Sequence, residues 1–165
     1  MDLSHVLWIG GGPGSGKSSV ARALAERFDL QRYSLDEHRA AHEPRMPTFL
    51  ADETLDGLMK RSRHRFRLVL EDLAALPASP EAVVEGIELF PTSVAAVLRD
   101  PGRALFLMPL EVDAITQRVG WEARDLRLAT FQVDAPLDEM IERAAAHFAP
   151  ALQADPLSGA GDTSP

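Results

Sequence analysis

The chain contains no cysteine. Disulfides, thiolate nucleophiles and cysteine-ligated zinc are therefore excluded. It contains no asparagine either, so the Asn-Lys-x-Asp element that reads guanine in GTPases cannot exist here. No apolar run approaches the roughly 18 residues of a bilayer-spanning helix, so no membrane segment is expected. The opening residues, Met1-Asp2-Leu3-Ser4-His5, lack a basic n-region, which leaves a cytoplasmic protein as the expectation. Positive charge is in deficit, with 17 Lys and Arg against 25 Asp and Glu. The resulting net charge of −8 argues against general nucleic-acid binding.

What is present fits one soluble globular unit. The 165 residues are 45% hydrophobic and 25% charged, enough for a single domain with a sizeable core. Residues 1–153 read as that domain. Residues 154–165 are rich in Gly, Ser, Pro and Asp and read as a disordered tail.

Gly11-Gly12-Pro13-Gly14-Ser15-Gly16-Lys17-Ser18 is a complete G-x-x-x-x-G-K-[ST] phosphate-binding loop. Its flanks agree with it. His5–Ile9 is short and mostly apolar, like a buried parallel strand, and Ser19–Phe28 has helical spacing. Glycines let successive N–H groups point into one concavity, and the helix that follows adds its unpaired amides and positive dipole end. Lys17 is expected to reach the β- and γ-phosphates, and the Ser18 hydroxyl to ligate Mg²⁺. Ser19 adjoins this nucleotide-binding set.

Further along, hydrophobic patterning alternates between strand and helix. Candidate strands are 5–10, 30–35, 82–86, 103–108 and 130–134. Candidate helices follow the glycine loop to Phe28, run from a cap at Asp52 or Thr54 to Leu76, open at Thr92 or Ser93, and cover 110–119 and 137–148. A polar, proline-punctuated stretch from Glu37 to Pro47 reads as a short helix and loop. The alternation predicts an α/β fold with a mostly parallel sheet, its crevice at the carboxyl ends of the strands.

With these elements in view, residues 5–150 resemble the small P-loop kinases of the adenylate kinase-like group. Shikimate kinase, gluconate kinase, adenylylsulfate kinase and chloramphenicol phosphotransferase are familiar members. The stretch Ser34-Leu35-Asp36-Glu37-His38 also resembles the second motif of uncharacterised actinobacterial P-loop proteins. The resemblance implies a three-layer P-loop NTPase fold with five strands ordered 2-3-1-4-5. It implies ATP with Mg²⁺ and phosphoryl transfer to a hydroxyl of a small-molecule acceptor, in a monomer or homodimer. The alternative is an ATP-binding protein that transfers no phosphate, a sensor or interaction module.

Asp36, expected at the end of strand 2, stands where such kinases place a carboxylate. It is the preferred base, or a Mg²⁺ ligand through water, or else a helix cap. Glu85 ends a buried strand, where an unpaired carboxylate is too costly to hide, so it is expected to face the crevice and orient Mg²⁺-bound water or substrate. Arg61 and Arg65 lie four apart on one helical face and are weak candidates for clamping an anionic acceptor; a solvated face paired with Glu53, Asp56 or Glu71 is the alternative. His38 and His42 are one helical turn apart without an evident third metal ligand. Arg118 stands where relatives begin a mobile lid, with Arg124 and Arg127 as competitors for the lid charge. The nucleobase is expected near Val133–Pro136. One departure is plain. Only about twenty residues separate Met108 from Thr130, so the lid is expected to be short.

Overall fold

The computed structural model describes residues 2–47 and 54–153. Asp52, Glu53 and the expected tail lie outside the described residues. Five strands, β1 Val6–Gly11, β2 Gln31–Ser34, β3 Ala82–Glu85, β4 Ala104–Met108 and β5 Ala129–Gln132, form one sheet in the order β2-β3-β1-β4-β5. Every pairing is parallel.

Alternation along β1 builds the two sides of the core. Val6 and Trp8 point to one face with Val84 and Phe106, and there meet Phe66, Val69 and Leu73 of helix α3 (Leu55–Ala75). Leu7 and Ile9 point to the other face with Val83, Leu105 and Leu107. They meet Val20, Ala21 and Leu24 of α1 (Lys17–Phe28) and Met140, Ala144 and Phe148 of α6 (Leu137–Gln153). All six residues of β1 are buried, as a central parallel strand with both faces covered must be. The short α4 (Pro91–Ala95) and α5 (Ala114–Asp125) complete the α3 side, giving three layers.

Helix α2 (Leu35–His42) closes the β2 edge and is tied to α3 by one polar knot. The Tyr33 hydroxyl donates to Asp72 Oδ2 at 2.6 Å, His42 Nε2 lies 2.9 Å from the same oxygen, and His38 stacks on Tyr33 at 3.9 Å. Burial, reinforced by Asp72, pushes the Tyr33 phenol upward, so it stays a donor. Burial works to raise the Asp72 carboxyl, but the bonds from Tyr33 and His42 outweigh it and hold the group below its ordinary value. Among the described residues no group of three or more His, Asp or Glu converges as a metal site, and His42 is buried in this knot.

Several boundaries differ from the sequence expectation. Strand β2 stops at Ser34, so Asp36 lies in the first turn of α2 instead of ending the strand. Asp36 and Glu37 there face the positive helix end, which favours the helical start. Helix α4 opens at Pro91, whose missing N–H costs nothing at a first helical position, not at Thr92 or Ser93. Helix α5 starts at Ala114 because Asp113 caps it, its Oδ1 accepting from Thr116 N at 2.7 Å. Helix α6 runs through Pro150 to Gln153, with Ala151 buried and its carbonyl accepting from Arg103 Nη2 at 2.6 Å.

The α5 cap gives a first prediction. The bond from the Thr116 amide is the main reason the Asp113 carboxyl sits below its ordinary value. Its contribution is therefore complete above the ordinary carboxylate range and is lost as pH falls through the depressed value. Asp113→Ala is expected to destabilise the chain by about 1 kcal/mol near neutral pH, with a melting temperature lower by about 2–4 °C. At pH well below the depressed value the two melting curves converge; a constant offset at every pH would contradict the cap.

Candidate active site

The crevice gathers beside β1, where the strand order changes direction. Gly11 ends β1 with φ +133°, and a Cβ there would stand 2.1 Å from the Leu107 carbonyl oxygen. Only glycine lets β1 and β4 approach so closely while the chain turns into the loop. The Gly12 amide then donates to Leu107 O at 3.1 Å, fastening the loop base to β4. Pro13 and Gly14 are exposed at the loop tip and Ser15 is buried beneath it.

Helix α1 differs from its neighbours at its N-terminus. Thr54 Oγ1 accepts from Gly57 N at the head of α3, and Asp113 does the same for α5. The residue heading α1 is Gly16, left-handed at φ 80°, with no side chain to cap anything. Among the described residues, the amides of Gly14, Ser15 and Gly16 donate to no other group of the chain. The loop and first turn thus present unpaired N–H groups beside a positive dipole end, a donor set suited to phosphate oxygens. Ser18 is exposed at this turn and Ser19 is half-buried behind it.

Lys17 is buried, its Nζ donating to Gly12 O at 2.8 Å and lying 3.3 Å from Ser15 Oγ. Burial draws its ammonium below the ordinary lysine value, while the charges of Glu85 and Asp36 push it back up. Both carboxylates therefore lie within electrostatic reach of Lys17. Glu85 is buried at the end of β3, in register with Ile9 of β1 and Ser34 of β2, with Arg32 Nη1 3.8 Å from its Oε1. Asp36 is largely exposed and bonded to Arg39 Nη2 at 3.1 Å. The structure thus brings Lys17, Glu85 and Asp36 together at one end of the sheet. Mg²⁺ keeps several waters and takes one or two carboxylates plus phosphate oxygens, so a hydroxyl at Ser18 with Asp36 and Glu85 nearby fits that ion.

The arginines of α3 are placed differently from one another. Arg65 is 1% exposed, its Nε 2.7 Å from Glu88 Oε2 and its Nη2 3.2 Å from Glu43. Arg61 holds Glu43 through both carboxylate oxygens at 2.6 and 2.8 Å. Both are thus neutralised within the chain, by partners other than the Glu53, Asp56 or Glu71 suggested by sequence; Asp56 takes Lys60 and Glu71 takes Arg45. Arg118 gives its Nε to Glu122 Oε1 at 2.5 Å and lies over the Trp121 ring at 5.0 Å.

Sequence reasoning missed three parts of this region. Glu122, beyond the 110–119 helix expected from sequence, is 2% exposed and also accepts from Thr92 N at 3.1 Å. Glu43 and Glu88 bind the α3 arginines from remote segments that no local pattern connects. Thr116 sits where a Cβ on Gly12 would come within 2.2 Å of its Oγ1, so α5 braces the loop directly. The departure expected for the lid is present: three residues, Leu126–Leu128, join α5 to β5.

No protein-family model matches the chain, and no curated protein sequence matches it. Solved structures do. An unliganded sugar kinase from Janibacter sp. HTCC2649 is 18% identical, with a TM-score of 0.51 over 89% of this chain and 96% of its own. Shikimate kinase from Aquifex aeolicus is 16% identical, with a TM-score of 0.57 over 88% and 96%. A gluconokinase from Sinorhizobium meliloti is 20% identical, with a TM-score of 0.53 over 91% and 94%. These likenesses carry the fold: a five-stranded parallel P-loop kinase-like sheet ordered 2-3-1-4-5. Among the described residues no helix is long and apolar enough to cross a membrane.

Proposed function

We propose that the chain is an ATP-dependent phosphotransferase acting on a hydroxyl of a small-molecule metabolite or antibiotic. The observation that carries this reading is the convergence of an uncapped, glycine-led α1, a buried Lys17 and two carboxylates at one end of the sheet. The loop amides and Lys17 hold the phosphate oxygens and stabilise charge as it shifts during transfer. Ser18, with Asp36 and Glu85 nearby, would hold Mg²⁺, which would supply charge neutralisation across the phosphates. Asp36, exposed at the mouth of the crevice, accepts the proton of the attacking hydroxyl. Arg118 adds positive charge from α5, in place of a lid arginine. The names of the structural neighbours, all kinases of small molecules, agree with this reading.

The test is ADP release from Mg-ATP with pooled hydroxyl-bearing metabolites and antibiotics. Acceptor-dependent release is expected, and Asp36→Asn is expected to slow it by about 10²–10⁴-fold, the usual worth of a positioned base. Release independent of every acceptor and unaffected by Asp36→Asn would sink the assignment.

One observation favours a second reading, a nucleotide-binding module without transfer. The three-residue connection between α5 and β5 is too short to fold over the crevice. Tight Mg-ATP binding with no consumption under any acceptor would select it.

A further inference from the structure

Glu85 closes β3 at 1% exposure, between Ile9 of β1 and Ser34 of β2. An isolated carboxylate at such depth is costly, so a cation has to face it. Lys17 acts on it through its charge, yet the Lys17 ammonium is bonded to Gly12 O and lies against Ser15 Oγ. Among the described residues the one cation within ion-pair distance of Glu85 is Arg32, whose Nη1 lies 3.8 Å from Oε1.

Parallel register explains how they meet. Arg32 stands opposite Val83, and Ser34 opposite Glu85. Val83 packs on the α1 side of the sheet, so Arg32 and Glu85 project to that same face. Tyr33, between Arg32 and Ser34, turns to the α3 side. The guanidinium is also held from outside, its Nη2 donating to Glu37 Oε1 in the first turn of α2. That bond is the main reason the Glu37 carboxyl sits below its ordinary value. Two atoms are left over. Arg32 Nη1 and Glu85 Oε1 are each buried, and neither has a hydrogen-bond partner among the described residues. A planar fork tethered at one nitrogen needs only a small rotation to close that gap with the other.

We infer that Arg32 is a positioning residue: it holds the Glu85 carboxylate beside the phosphate loop and remains its counter-charge when nucleotide phosphates draw on Lys17. The second half rests on the proposed phosphotransferase reading; the pairing itself does not. Phosphates entering the loop bring negative charge toward Glu85 and share the one ammonium there. With Arg32 in place the charges stay balanced. Without it, like charges meet in a low dielectric and repel strongly. Through Glu37 the same guanidinium ties α2, which carries Asp36, to the end of β3.

The experiment is calorimetric titration of the full chain with ADP in EDTA, so that no metal ion contributes. The four chains are the wild type, Arg32→Gln, Glu85→Gln and the double variant. Arg32→Gln is expected to weaken ADP by about tenfold or more. In the Glu85→Gln background the same substitution should change affinity by less than about twofold, because its effect passes through Glu85. Equal losses in both backgrounds would show Arg32 attracting phosphate directly and would overturn the positioning role, as would no loss in either. Melting curves of the four chains without ligand test the pairing alone. Arg32→Gln should melt below the wild type, and Glu85→Gln added to it should recover most of the difference. No recovery overturns the pairing, and the same comparison decides it if Arg32→Gln alone fails to fold. A folded wild type that takes up no ADP, with or without Mg²⁺, fails the phosphotransferase reading and leaves the pairing to the melting curves.

Discussion

Lys17→Ala is expected to lower Mg-ATP turnover by about 10²–10³-fold, the usual loss when one preorganised donor to a developing charge is removed. The size of the effect follows from burial. Lys17 is shielded from solvent; burial draws its ammonium below the ordinary lysine value, and the charges of Glu85 and Asp36 oppose that pull. A cation in so low a dielectric interacts with phosphate far more strongly than one in water. Among the described residues its bonded partners are Ser15 Oγ and Gly12 O, and neither carries a positive charge that could replace it. The loop should keep its shape, since its base is fastened by the Gly12 amide to Leu107 O, which the substitution leaves intact. Steady-state ADP release and calorimetric ATP binding, beside a melting curve, separate lost chemistry from lost folding. Turnover equal to the wild type would remove the basis of the functional proposal.

Arg65→Ala is expected to cost about 3–5 kcal/mol of stability, a large share of the 5–15 kcal/mol that holds a typical domain together. The loss is not the value of the ion pair itself. Glu88 is 5% exposed, and without Arg65 its nearest remaining cation is Arg39 Nη2 at 3.6 Å. A carboxylate left buried without a close partner is what destabilises. At about 2–4 °C per kcal/mol the melting temperature should fall by about 6–20 °C. Arg65→Met combined with Glu88→Leu should recover most of it, because neither charge then remains to be solvated. A single variant melting within 2 °C of the wild type would show that Glu88 reaches water by another route.

The parts legible in the sequence are those whose physics is local. The phosphate loop needs glycines at fixed spacing between a strand and a helix, and all of that lies within residues 5–28. Glu85 was readable because a carboxylate closing a four-residue buried strand has few places to go. The order of the strands came through family resemblance, since alternation of elements predicts a parallel sheet without ranking its strands. Asp36 was placed at a strand end when it begins a helix, because Ser34 and Leu35 fit the end of a strand as well as they fit the approach to a cap. The partners of Arg61 and Arg65 were beyond reach: Glu43 and Glu88 meet them only after α2, α3 and the loop after β3 have packed. Glu122 was hidden for the same reason, its burial depending on α4 closing over it through the Thr92 amide.

The tight connection from α5 to β5 bears on fidelity. Kinases that fold a cover over their nucleotide keep bulk water from competing with the acceptor hydroxyl. Here α5 and β5 are joined by a three-residue turn, with Arg127 left-handed at φ 55°, too short to swing. Under the proposed transfer reaction, discrimination between acceptor and solvent then falls to residence: an acceptor would have to linger near Asp36 longer than any single water does. Wasteful hydrolysis in such an enzyme is restrained by how firmly the acceptor is held, and a poorly held acceptor spends nucleotide without yielding product.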